Sequence, residues 1–180
     1  MSLNSWPVYL VLVIAVWYLS QQAGRLDRLH HRIDVTGASL DGHLGRRAGI
    51  VVELANSAMI DPVTSAVLAQ AAHDVLAVEP HDLPDRLDLE NELTRTLVAA
   101  LDDPEEVVEW RQDLPTALLL GELAIACGRV HLSATFHAEA VTDCLNIRTQ
   151  ALVRVFRLAG FAPLPQKLHL DSTIASGIAE

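Results

Sequence analysis

The chain has 180 residues and a formal net charge of -10, and its apolar half is built from Leu, Val, Ala and Ile with only 4% aromatics. That balance excludes a general nucleic-acid binder, which needs a basic face against phosphate. A high share of Ala and Leu favours an all-helical protein over a sheet protein.

The first element in chain order is apolar. Residues 8–19 carry no charge, and with their flanks they give about twenty residues, the length that crosses the hydrocarbon of a bilayer. Trp6 and Tyr9 stand at one end and Trp17 and Tyr18 at the other, in the manner of interfacial anchors. A cleaved signal peptide would need a basic n-region and a small-x-small cleavage site. No Lys or Arg precedes the run, and "SQQAG" is a poor cleavage site. The reading is an uncleaved anchor over 3–24. Arg25, Arg28 and Arg32 follow at once, so the positive-inside rule puts the N-terminus outside and the remainder in the cytoplasm, at the inner membrane of a bacterium.

A long helix is expected to continue from the anchor over 25–58. Leu26, Ile33, Leu40, Leu44, Val51 and Leu54 recur at three- and four-residue steps and form its inward seam. Ala38, Gly42, Gly45 and Gly49 also step by four, three and four, and they form a second stripe roughly opposite the first. A phosphate-binding glycine loop would break this register, and no strand precedes it. The stripe is therefore a bare outer helix face, a candidate partner interface of the close-packing kind. Arg47 falls between Leu44 and Val51 on the inward seam, whereas Arg46 falls outward. A buried guanidinium requires a carboxylate, and Glu139 or Asp143 of the last helix are the expected partners.

Asp61-Pro62 and Asp103-Pro104 are N-cap and first-position pairs. They open helices expected over 62–78 and 104–113. A third helix is expected over 85–101, after the loop "EPHDLP", and its acidic start reads as solvated. The last helix is long, about 116–159, and Gly160, Pro163 and Pro165 end it. Val130, Val141, Leu152 and Val155 form its inward positions. The predicted fold is all-α: one N-terminal transmembrane helix, then an antiparallel bundle over 25–160 with long first and last helices. An extended C-terminal tail follows over 161–180.

These residues resemble the LemA family. Leu40-Asp41, Leu44, Arg46-Arg47, Ile50-Val51 and Leu54 match its first-helix pattern in spacing. "TFHAEAVTD" and Gly160-Phe161 look like its last-helix motif and the Gly-Phe that follows. The chain departs from the pattern where the family's Pro-Asn is Val52-Glu53, where its tryptophan is Gly37, and where its Tyr-Asn is His137-Ala138. The resemblance implies a membrane-tethered antiparallel bundle and brings no catalytic residue with it.

The chain holds no G-x-S-x-G, P-loop, H-E-x-x-H, C-x-x-C or Rossmann fingerprint. Cys127 with His131, and His137 with Cys144, share faces on the last helix, but the two pairs point to different sides and no single ion joins them. Roughly 25 Å along that helix separates the two cysteines, too far for a mutual disulfide. No cofactor and no metal are expected. The expected function is that of a non-enzymatic accessory or scaffold subunit of a larger bacterial membrane complex, a respiratory assembly being one host. Its partners would be an integral membrane protein and, through the N-terminal helix, lipid. The alternative is a stand-alone adaptor or sensor at the membrane surface.

Overall fold

The computed structural model describes residues 6–79, 83–149 and 164–178. All regular structure among them is helical, with no strand. The helices are α1 (Trp6–Ala55), α2 (Pro62–Leu76), α3 (Leu83–Ala100), α4 (Pro104–Trp110) and α5 (Leu114–Arg148), with a short 3-10 helix at Ser176–Ile178.

Short polar side chains set the boundaries. Beyond Ala55, Asn56 donates from Nδ2 back to the carbonyl of Val52 at 2.8 Å and closes the last turn. The Asp61 carboxylate accepts from the backbone N–H groups of Val63 and Thr64 at 2.9 and 3.1 Å, so α2 begins with Pro62 in its first turn. Asp103 does the same for α4 through the N–H of Glu105. The sequence placed the start of the last helix near Pro115, and the structure shows why it starts at Leu114. Asp113 accepts from both the N–H and the hydroxyl of Thr116 and caps the helix one residue earlier. These hydrogen bonds, the Thr116 hydroxyl first, hold the Asp113 carboxyl below the usual carboxylate range.

The described residues belong to two compact units. The first draws on Met1–Val35 and Glu139–Lys167. Within it Leu26, Cys144 and Ile147 are buried together, with Leu29 and Ile33 packed against them. Arg32 and Asp143 make an exposed ion pair at 3.3 Å. The second unit draws on Thr36–Ala138 and Leu168–Glu180. Its main core joins Val51 and Leu54 of α1, Leu68 and Val75 of α2, Leu93 and Leu97 of α3, Trp110 of α4 and Leu123 of α5. A smaller cluster packs Leu40 and Leu44 on Val130.

Of the expected core, Leu40, Leu44, Val51, Leu54, Val130 and Val141 are all buried. Leu152 and Val155 lie outside the described residues, as does the expected stretch of the last helix beyond 149. The C-terminal tail is extended over 164–175, and from Leu168 onward it belongs to the second unit. Leu168 and Leu170 pack on the Leu40–Leu44–Val130 cluster, and Ala175 and Ile178 enter the main core. Arg111 donates to the carbonyl of Gly177 at 2.8 Å. Gly177 is a close approach: a Cβ there would lie 2.7 Å from the Leu101 carbonyl oxygen and 2.9 Å from Val107 Cγ2. A backbone oxygen has little room to yield. Gly177→Ala is expected to destabilise the second unit by about 1–3 kcal/mol, read as a lower thermal midpoint.

Candidate functional site

Two features of the second unit stand out, one buried and one exposed. The buried one begins with Arg47, whose side chain is 2% exposed. Its Nη2 contacts Glu90 Oε2 at 2.8 Å, and its Nη1 donates to Thr94 Oγ1 at 3.0 Å. The other oxygen of Glu90 lies 2.8 Å from Arg86 Nη2, one turn earlier on α3. Arg86 Nη1 in turn donates to Asp41 Oδ1 at 2.7 Å. The result is an alternating chain, Arg47–Glu90–Arg86–Asp41, with zero net charge and almost no solvent contact. Neutrality by alternation is what allows four charges to sit in a core. The Nε–H groups of Arg47 and Arg86 have no hydrogen-bond partner among the described residues, so the cluster is incompletely satisfied.

The carboxylate partner of Arg47 is thus Glu90, not Glu139 or Asp143. Glu139 is exposed, and Asp143 pairs with Arg32. The reason is register. In the second unit Thr36 meets His137 at 3.2 Å and Arg46 meets Glu122 at 3.3 Å. Thr36 and Arg47 are roughly 16 Å apart along α1, so an acid next to His137 is out of reach. The seam of α1 serves two neighbours: Leu40 and Leu44 pack on α5, and Arg47 turns to α3.

Thr94 extends the cluster to the C-terminal segment. Its hydroxyl is 3.0 Å from the Glu90 carbonyl and 3.1 Å from the Asp171 carbonyl, with Arg47 donating to it. Asn91 grips the same segment: Nδ2 donates to the His169 carbonyl at 3.1 Å, and Oδ1 accepts from the Asp171 N–H at 2.7 Å. Two bonds from one amide fix an extended backbone without reading its side chains. Sequence reasoning missed these α3 residues. The signal was there, because Arg86, Glu90, Leu93, Thr94 and Leu97 fall at helical spacing on one face. From sequence alone the acidic start reads as solvated, whereas Arg86 and Glu90 are buried.

The exposed feature is an outer face. Ala38 and Gly42 are exposed and Gly45 and Gly49 half-buried. A Cβ built at any of the three glycines meets nothing within 4 Å, so the bare stripe points away from the core. Arg46, in sequence between these glycines, bridges to Glu122 of α5. Around Glu122 runs a second stripe that the sequence reading overlooked. Leu114, Leu118, Ile125, Leu132 and Phe136 are all exposed. Gly121 and Gly128 complete the same heptad spacing, and a Cβ at either also meets open space. Large apolar residues at coiled-coil spacing therefore form an open apolar helix face among the described residues.

The sulfur positions are quiet. Cys127 and Cys144 are buried free thiols, and burial pushes both up in pKa, Arg47 opposing this at Cys127 and Arg148 at Cys144. His131 bonds Ser172 at 2.8 Å and His137 bonds Thr36, so neither histidine is turned to its paired cysteine by these contacts. Among the described residues no three ligating side chains converge on a metal position.

In the first unit, α1 from Trp6 is an apolar helix with an apolar surface. Tyr9, Leu10, Val11, Leu12, Val13, Ile14, Val16 and Trp17 are 51% to 67% exposed, on every side of the helix. Residues 3–5 of the expected anchor lie outside the described residues. Among the described residues α5, Leu114–Arg148, is long and apolar enough to cross a membrane, though a third of its apolar window is buried. Glu122, Arg129, Glu139 and Asp143 punctuate it, and Leu120, Leu123 and Ala126 supply the main core. That combination suits the core helix of a bundle better than a span.

The chain matches no protein-family model, no curated protein and no solved structure. The likeness to the LemA family rests on its motifs alone.

Proposed function

We propose that this protein is a single-pass membrane protein that serves as a non-enzymatic accessory subunit of a larger bacterial membrane complex. In this reading the span is the apolar start of α1 and the remainder is a LemA-like antiparallel bundle on the cytoplasmic side. The antiparallel arrangement is supported by contacts between α1 and α5 in the second unit. Ser57, just past the end of α1, meets Thr116, while Arg46 meets Glu122 and Thr36 meets His137 on the helices themselves, so numbers rise along one as they fall along the other. Orientation follows from Arg25, Arg28 and Arg32 lying just after the span.

The observation that carries the membrane part is the all-round exposure of residues 9–17. Water does not tolerate so continuous an apolar surface, whereas hydrocarbon requires it. Near the centre of a span Leu, Ile and Val favour insertion by about 0.3–0.6 kcal/mol each, so the six in this stretch supply roughly 2–4 kcal/mol. The observation that carries the subunit part is the exposed Leu114–Leu118–Ile125–Leu132 stripe beside a glycine face. A tethered monomer has no use for it, and a helix of an integral membrane protein packing on bare glycines accounts for both stripes.

Extraction in mild detergent followed by size separation tests the reading. Recovery in a defined complex, at fixed stoichiometry with an integral membrane protein, is the expected result. Recovery as a lone monomer under conditions that keep other membrane complexes intact contradicts the subunit role.

A further inference from the structure

We infer that the first unit carries a binding site for the phosphate headgroup of an anionic phospholipid. The site is a cavity of about 440 Å³ between α1 and the end of α5. Arg25, Arg28 and Arg32 line one side at three- and four-residue steps, so one helix face presents three guanidinium groups. Asp143 is the single carboxylate in the lining and is bound to Arg32, which leaves a net charge of two positive. Arg25 and Arg28 have no ion-pair partner among the described residues. The floor is apolar, with Leu29 and the buried Ile147, and Asn146 adds an amide at the rim.

This composition suits one chemistry. Guanidinium groups donate in a fork that matches phosphate oxygens, and an apolar floor excludes water beneath the anion. Position narrows the source. Arg25 and Arg28 follow Leu19, the end of the continuous apolar run, by roughly 9–14 Å of helix rise. Extended arginine side chains there reach back to the headgroup layer. A lipid phosphate in the cavity would keep its acyl chains alongside the exposed apolar surface of residues 9–18, which a soluble phosphate cannot use. Interhelical basic pockets at this depth hold anionic headgroups in membrane proteins generally. The inference rests on the membrane reading above and names the lipid class for it.

The test uses the full chain, purified in a neutral detergent, with bound lipid counted by native mass spectrometry. Phosphatidylglycerol, phosphatidylcholine and inorganic phosphate are the three probes. The wild type is expected to retain phosphatidylglycerol in preference to phosphatidylcholine. R25Q/R28Q is expected to weaken phosphatidylglycerol binding about thirtyfold, the loss of two surface-basic contacts. Arg129→Gln, which removes an exposed arginine of the second unit, should change neither. Thermal melting verifies that each variant is folded. Undiminished phosphatidylglycerol binding in R25Q/R28Q overturns the site, and so does an equal loss in Arg129→Gln. Displacement of the lipid by millimolar inorganic phosphate overturns the lipid assignment. An alkaline carbonate wash separates the two failures: a chain that resists the wash but shows no lipid preference leaves the span intact and removes only the site.

Discussion

Glu90→Ala is expected to destabilise the chain by about 3–5 kcal/mol, the cost of stranding a buried charge. Glu90 is shared by two arginines. When it is lost, Arg86 keeps Asp41, but Arg47 keeps no carboxylate: its remaining neighbours are the Thr94 hydroxyl, a carbonyl at 3.4 Å and the Cys127 thiol. Arg47→Met is expected to cost less, because it removes a buried charge and leaves Glu90 paired with Arg86 through α3 itself. Methionine also occupies much of the volume that the arginine stem fills. Denaturant unfolding of the full chain and both variants in the same detergent gives the order. A larger loss for Arg47→Met than for Glu90→Ala would show that the arginine's packing, not the pairing, dominates the cluster.

Leu12→Arg with Val16→Arg carries the second large effect. Each arginine near the middle of a span costs about 2.5–3.5 kcal/mol in insertion, and the pair outweighs what the apolar residues of this segment supply. Both sites are exposed in the structure, so the bundle has no packing to lose. The wild-type chain is expected to stay with membranes through an alkaline carbonate wash, and the double variant to be released. Release of the wild type would mean that this segment rests against protein and not lipid.

The elements were legible where chemistry is local. Asp61-Pro62 and Asp103-Pro104 marked helix starts that the structure places at the same residues. The three- and four-residue steps of Leu40, Leu44, Val51 and Leu54 put each on the buried side. The same wheel put Arg47 inside and Gly42 outside. What the wheel could not supply was the neighbour. A helix face is a direction, and in this unit two helices share the inward direction of α1. Choosing α5 over α3 for Arg47 therefore failed, although Arg86 and Glu90 at i,i+4 were visible. The outer stripe of α5 was overlooked for a related reason. Its apolar residues occur on both faces, so counting one seam left the other unread. The docking of 168–178 depends on Asn91 and Thr94 meeting the backbone of His169 and Asp171, which no local pattern reports.

The membrane-complex role is tested most directly by Gly42→Leu with Gly45→Leu. A Cβ at either position meets nothing within 4 Å, and leucine favours a helix over glycine, so the bundle itself is expected to melt no lower than the wild type. Against a closely packed helix the same leucines must clash, since interfaces pack as tightly as interiors. Thermal melting and recovery of the integral membrane partner are read on one detergent extract. A folded variant that no longer brings down the partner is the expected result; a folded variant that recovers it at the wild-type stoichiometry contradicts docking through the glycine face.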